Sequence, residues 1–482
     1  MRRISAFTGK LISSAAPFSV VCCFAAMFSM ACFSTVPGRP SAPAAQRPSL
    51  LDKAYKDSVL EKISDLLAAQ YVLADRAKGY ADEFRMRCAA GTYDSCAEAD
   101  DFAARVTADL VAITGDKHLN FRVIVASDIG EKAAGSLHHP VRYYRFRIKE
   151  NVGFYKLEWI EPRIGYLDLR RFNSFGEARD MALAAMKFLA NARAIIIDVR
   201  ENGGGSGDYL SSYFLPYPTQ LSGVYSRRDS SLAEIWTRRD IGMEPRTDVP
   251  LFVLIGPNTF SAAEYFAYDM KTRKRATLVG EPTKGGAHSV DLFPIDDQFE
   301  FYISTARAIS PVTGANWEGT GVIPDIHVPA TAALDTALVE AKKAAEAYGR
   351  DEEERLKKAV DKMQGYADDA ARFYREKKKD AGRAALDALF ETAAETGLLS
   401  EFFIDVFAYN FRTAPDDDLY VAILDKGVEL FPDSPTAWER LAYLHDSKGD
   451  KELALRYFRK VLDLDPGNRN AAKMITDIQK LK

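Results

Sequence analysis

Cysteine is scarce in this 482-residue chain: there are five, and three of them (Cys22, Cys23 and Cys32) fall within the first 32 positions. The other two, Cys88 and Cys96, have no CxxC partner and no histidine at ligand spacing, so a zinc site finds no support in the spacing. A basic excess is missing as well. Lys and Arg number 64 against 68 Asp and Glu, for a net charge of -4. No patch interleaves basic with aromatic residues, which excludes nucleic acid as a partner. Histidine is limited to six, so chemistry that needs an imidazole has few residues to draw on.

What is present describes a soluble globular protein of more than one domain, 47% hydrophobic and 27% charged. The N-terminus is the exception. "MRRISAFTGK" is basic, and "LISSAAPFSVVCCFAAMFSMA" is apolar and rich in small residues, the layout of an export signal over residues 1–31. Ser13, Ser14 and Pro17 interrupt the run, which favours a signal over a permanent membrane anchor. In "SMAC" a small Ala31 precedes Cys32, and a Pro/Ser/Ala tether over 32–50 follows. Cys32 is therefore a lipidation candidate, although Ser29 stands where such signals usually carry Leu. The expected location is the periplasm or cell envelope, with membrane attachment through Cys32. In such an oxidising compartment Cys88 and Cys96, flanking "AAGTYDS", are expected to close a small disulfide loop.

Apolar spacing of three and four marks 51–118 as a helical domain. From 119 the runs "NFRVIV", "VRYYRFRI" and "RIGYLDLRRF" alternate as strands do. Two strand-loop-helix units follow: "ARAIIIDVR" with "ENGGGSGD", and "VPLFVLI" with "GPNTF" and "SAAEYFAYDMKT". They make 119–335 an α/β core, in which sites form beyond the carboxyl ends of strands. A helical connector spans 336–397, its charge run reading as a solvated face. At the end, Trp438, Leu441, Ala442, Ala454, Phe458 and Pro466 fit a tetratricopeptide repeat, and Pro432 and Ala408 stand 34 residues before Pro466 and Ala442. Residues 398–482 are thus expected to form a short repeat array that recruits a protein partner. His445 there reads as a packing or surface residue.

Ser261 opens "SAAE", a capping box with Glu264 three residues on, and the plain reading is a helix cap. The same position suits a nucleophile, because a strand-to-helix turn exposes the hydroxyl and the helix N-terminus favours developing negative charge. Ala262 offers the next backbone N–H, and the glycines of "NGGG" at 202–205 let a second N–H approach a substrate carbonyl closely. For a base, pattern alone leaves His118, His138, His139, His288 and His327 open.

Taken in order, "GDKHL", "IGYLDLRRF", "IIIDVRENGGGSG", "FSAAEYFAYDMK", "LVGEPTKGGAH" and "WEGTGVIPDI" resemble the tail-specific, or carboxyl-terminal-processing, serine peptidases over roughly residues 55–335. They are most similar to the branch of interphotoreceptor retinoid-binding protein and the tricorn protease core. The resemblance implies a crotonase-like spiral ββα core behind a small helical bundle. It implies Ser261 as nucleophile, His118 as base, Glu318 of "WEGTGV" as supporting acid, and Gly203 or Gly204 with the Ala262 N–H as oxyanion hole. It implies no metal or cofactor. The family's other branch uses a Ser-Lys dyad, but alignment of the lysine loop on "GEPTKGGA" puts Gly286 at the lysine position and Lys284 two residues early. The expectation is therefore an exported serine peptidase acting on proteins or peptides. The alternative is an inactive binding module of the same fold that carries an apolar ligand or peptide.

Overall fold

A computed structural model describes residues 51–124, 148–206, 209–411 and 418–480. The signal, tether and Cys32, and also His138, His139 and most of "VRYYRFRI", lie outside the described residues. The chain divides into two compact units, 1–348 and 349–482.

In the first unit three helices come first: α1 (Lys53–Gln70), α2 (Ala74–Ala89) and α3 (Ala99–Thr114). Their apolar stripes do not close on one another as a free-standing bundle. They pack on β1 (Asn120–Val123) and β10 (Phe299–Ile309), with Phe84 and Phe102 sharing one core with Phe121, Phe299 and Phe301. The boundary expected at 118 is therefore crossed by a continuous core. β10 also pairs with β9 (His288–Pro294) and β5 (Gln220–Ser226), and β5 with β6 (Leu232–Trp236), all antiparallel.

The second sheet has the order β11-β8-β7-β4-β3-β2, from β2 (Phe154–Glu161), β3 (Ile164–Leu169), β4 (Ala194–Asp198), β7 (Leu251–Ile255), β8 (Thr277–Gly280) and β11 (Ile326–His327). All its pairs are parallel except β2 with β3. Strands β4 and β7 are buried throughout, as expected of a sheet covered on both faces. Alternate residues go to opposite layers. Ile195, Ile197, Val253 and Ile255 pack under α4 (Phe175–Phe188) and α5 (Ala262–Thr272). Ile196, Phe252 and Leu254 meet Ala333, Ala337, Ala341 and Ala345 of α6 (Ala333–Arg375), whose small side chains at four-residue spacing let the helix lie close. The expected α/β core is observed, and the 335/336 boundary falls inside α6.

In the second unit the later turns of α6 pack with α7 (Lys379–Glu395), α8 (Glu401–Tyr409) and α9 (Asp418–Leu430) around Leu389, Phe390 and Ile423. From residue 349 on, the expected connector thus belongs to the array's own core, while its first turns pack on the sheet of the first unit. Helices α10 (Pro435–Ser447) and α11 (Lys451–Leu464) form the clear repeat, with Ala442, Ala454 and Phe458 fully buried as the motif requires, and α12 (Arg469–Lys480) adds Ala471 and Ile478. His445 lies against Tyr457, a packing residue as expected. No helix among the described residues is long and apolar enough to cross a membrane.

One expectation fails here. Cys88 and Cys96 are free thiols, and burial pushes the Cys88 pKa up to about 12. The loop between them is closed by a lysine instead: the buried Lys56 ammonium donates to the carbonyls of Tyr93 (3.0 Å), Asp94 (2.8 Å) and Cys96 (2.9 Å). A buried ammonium that loses these acceptors, or three carbonyls that lose their donor, would each bear a desolvation cost. Lys56→Met is accordingly expected to destabilise the first unit by about 2–4 kcal/mol in chemical denaturation, whereas a reductant leaves the wild-type midpoint unchanged. A midpoint lowered by reductant would restore the disulfide.

Candidate functional site

Ser261 sits one residue before α5, at the carboxyl end of β7, with φ 55° and ψ -117°. An L-residue there is strained by ~1–3 kcal/mol, the kind of cost that persists where neighbours over-determine the backbone. Those neighbours are visible. Thr259 is fully buried and donates its hydroxyl to the Val199 carbonyl at 2.8 Å, and the Phe260 N–H donates to the Asn202 carbonyl at 3.0 Å. The Ser261 N–H donates to Glu264 Oε2 at 2.8 Å, so Glu264 performs the reciprocal half of the capping box. The Ser261 hydroxyl faces the N3 amide in capping-box fashion but makes no cap hydrogen bond.

Glu264 does more than cap. It is fully buried and also accepts from the Thr283 hydroxyl (2.5 Å), the Gly285 N–H (2.6 Å) and the Gly286 N–H (2.9 Å). Burial holds its pKa above the ordinary range, against those donors. One carboxylate thus joins the Ser261 turn to the "TKGG" loop. That loop is joined in turn to "WEGTGV": the Val322 N–H donates to Thr283 Oγ1 at 2.7 Å, and the Trp317 indole donates to the Gly286 carbonyl at 2.8 Å.

The glycine loop after β4 approaches Ser261 from the other side. A Cβ on Gly204 would lie 2.7 Å from Ser261 Cβ and 3.2 Å from the Ala262 nitrogen. No side chain fits there, which is why glycine is required. The Gly204 N–H, however, donates to Asn202 Oδ1 at 2.9 Å and is committed within the loop. Gly204 therefore contributes room. Gly203 takes no hydrogen-bond partner through its N–H among the described residues. Ala262 is the first residue of α5, so its N–H has no intrahelical acceptor.

His118 packs on Phe260, the residue before Ser261, with ring centroids 4.4 Å apart. A Cβ on Gly286 would fall 2.5 Å from His118 Cε1 and 2.2 Å from Phe260, so this imidazole occupies the space that a longer residue at 286 would need. The Lys284 ammonium lies over the same Phe260 ring, 4.9 Å from the centroid. His118 is 10% exposed, and neither ring nitrogen has a hydrogen-bond partner among the described residues. Its pKa is lowered to about 4, first by burial and further by His288 and Lys284, with Asp116 opposing. The ring is therefore neutral at pH 7, with a lone pair available.

Below His118 lies a polar network that the spacing of residues in the sequence did not disclose. Asp116 Oδ1 accepts the His118 N–H at 2.9 Å and stands 3.7 Å from Nδ1. Its other oxygen is 2.7 Å from His288 Nδ1 and accepts from the Tyr71 hydroxyl at 3.1 Å. Burial alone would raise the Asp116 pKa, but the His288 hydrogen bond and charge bring it down to about 2. Burial likewise opposes charge on His288, yet Asp116 holds its pKa above the usual histidine range. Glu318 completes the group. Its Oε2 accepts the Ala287 N–H at 2.5 Å, its Oε1 is buried and unpartnered, and burial and the Asp116 charge push its pKa up to about 7. Of the histidines left open by pattern, His118 and His288 thus meet in this network, while His327 lies exposed on β11.

Residues 163–328 match the model of peptidase family S41, 51–144 that of the N-terminal domain of this family in eukaryotic IRBP, and 435–468 a tetratricopeptide repeat. Carboxyl-terminal-processing peptidase 2 of Arabidopsis thaliana chloroplasts is 31% identical over 173 residues, 35% of this chain and 32% of the relative. The carboxyl-terminal-processing protease of a Picosynechococcus strain is 28% identical over 170 residues, 35% and 39% of the two chains. A solved photosystem II D1 C-terminal processing protease aligns at 24% identity and TM-score 0.29, covering 35% of this chain and 42% of that one. The chain spans about a third of the length of the curated relatives it matches.

Two outcomes follow from this geometry. Ser261→Gly is expected to raise stability by about 1 kcal/mol in denaturant unfolding, because glycine relieves the positive φ at little capping cost; a loss of stability would mean the turn is unstrained. In NMR titration the His118 ring is expected to protonate near pH 4 and His288 above the ordinary histidine range, whereas ordinary values for both would contradict the burial described.

Proposed function

We propose that this chain, whose residues 163–328 match the model of peptidase family S41, is an exported serine peptidase that hydrolyses peptide bonds of proteins or peptides through an acyl-enzyme. The observation that carries this reading is a serine held at φ 55° at the mouth of a buried helix, with a neutral, buried and unpartnered histidine packed on its neighbour. A helix cap requires neither the strain nor the histidine.

In the proposed reaction Ser261 Oγ attacks the peptide carbonyl carbon while His118 accepts the hydroxyl proton. The tetrahedral oxyanion is received by the Ala262 N–H and the Gly203 N–H, with Gly204 giving the carbonyl access. Such a donor is worth about 10²–10³ in rate. The C–N bond then breaks as His118 returns the proton to the leaving amine, and water repeats the sequence on the ester. Glu318 supports the site, and Asp116 positions the His118 backbone and ring. Catalytic hydrogen bonds are often long before substrate binds, which accommodates the unpartnered His118 nitrogens. The repeat segment holds a protein partner or substrate, residues 1–31 direct export, and Cys32 is the site of lipid attachment.

With casein or an unstructured peptide as substrate, Ser261→Ala is expected to abolish cleavage, and His118→Ala to lower it by about 10²–10⁴. Lys284→Ala is expected to retain activity. Activity that survives His118→Ala and fails in Lys284→Ala would transfer the base to lysine. Ser261→Ala should melt within about 1 kcal/mol of wild type, while Glu264→Ala, which strands four donors, should lose about 3 kcal/mol or more. Cleavage retained in Ser261→Ala would return Ser261 to a capping role.

A further inference from the structure

The residues around His118 have a property that the proposed proton transfer does not use. Asp116, His118 and Glu318 each offer one ligand-type atom, and the three atoms lie within 4.8 Å of one another. Two further observations distinguish this from a chance meeting of acids. His118 is nine-tenths buried with both nitrogens unpartnered, and Glu318 Oε1 is buried and unpartnered too. Neither carboxylate has a lysine or arginine as an ion-pair partner among the described residues; the ion-pair partners there are histidines, and the Asp116 charge acts on Glu318. The nearby Lys284 ammonium is occupied with the Phe260 ring.

We propose that Asp116, His118 and Glu318 form a binding site for a divalent transition cation of the zinc class, whose occupation withdraws His118 from proton transfer. The first half stands on the geometry alone, and the second rests on the serine peptidase reading. One imidazole nitrogen with two carboxylate oxygens is a three-ligand set that leaves a fourth position open, and the imidazole favours zinc, nickel or copper over magnesium or calcium. The 3.7 Å from His118 Nδ1 to Asp116 Oδ1 is close to the roughly 3.4 Å that two bonds of about 2.1 Å subtend in a tetrahedral site. The outer contacts are already in place: His288 and Tyr71 hold Asp116, and the Ala287 N–H holds Glu318. Such partners orient metal ligands and tune their affinity. The site reaches solvent through His118 and Glu318, exposed by 10% and 18%.

The test is equilibrium dialysis of the full chain against zinc chloride, alongside the cobalt(II) absorption spectrum. Wild type is expected to hold one zinc per chain at this site, Glu318→Gln to bind about tenfold more weakly or worse, and His118→Ala to lose it. The double variant Cys88→Ser, Cys96→Ser should bind as wild type, and the wild-type cobalt spectrum should lack a thiolate charge-transfer band. That spectrum needs no variant to fold. Absence of zinc in wild type, a thiolate band, or undiminished binding in folded His118→Ala would overturn the site. Fluorophosphonate labelling of Ser261 then separates the two halves. Labelling slowed by about tenfold or more at zinc saturation is expected, and an unchanged rate with zinc bound would overturn the inhibitory half. Protein that is not labelled even without zinc would sink the peptidase reading and leave the metal site standing.

Discussion

The buried carboxylate of Glu264 is the constraint on which the site depends. Four donors converge on it, from Ser261, Thr283, Gly285 and Gly286. Burying a charge is tolerable only where hydrogen bonds replace water, and here the replacements come from two separate loops. Satisfying one side chain therefore fixes the start of α5 against the "TKGG" loop, and through Thr283 and Trp317 against the segment that carries Glu318. The capping box is real, but its two members do different things: the acid holds the architecture and the serine is left strained at its edge.

Around that anchor the site is shaped by what cannot be added. The space over Gly204 belongs to Ser261 and Ala262, and the space over Gly286 belongs to His118 and Phe260. The second exclusion bears on mechanism. An imidazole at this place and a lysine at 286 would compete for one volume. Burial then keeps His118 neutral, while Asp116 beneath it stays charged because His288 shares the load.

Much of this was legible in the sequence. The two strand-loop-helix units, the capping box and the 34-residue phase of Ala408 and Ala442 are local patterns, and the fold keeps them. What was not legible is non-local. Asp116 and His288 are 172 positions apart, and nothing in either neighbourhood announces their pairing. The commitment of the Gly204 N–H to Asn202 depends on how the loop turns back on itself, and the substitution of Lys56 for the expected disulfide depends on the packing of α1 against a loop some 40 residues on. The charged face of the helical connector dominates its sequence and reads as a separate element, whereas its buried face, with Leu386, Leu389 and Phe390, joins the repeat core.

The most direct test of the central claim is the rate and position of fluorophosphonate modification in zinc-free protein, mapped by peptide mass spectrometry. The account predicts a single adduct on Ser261, formed at least about 10²-fold faster in wild type than in His118→Ala. Wild-type protein that stays unmodified at Ser261, or that reacts there equally fast without His118, would contradict it.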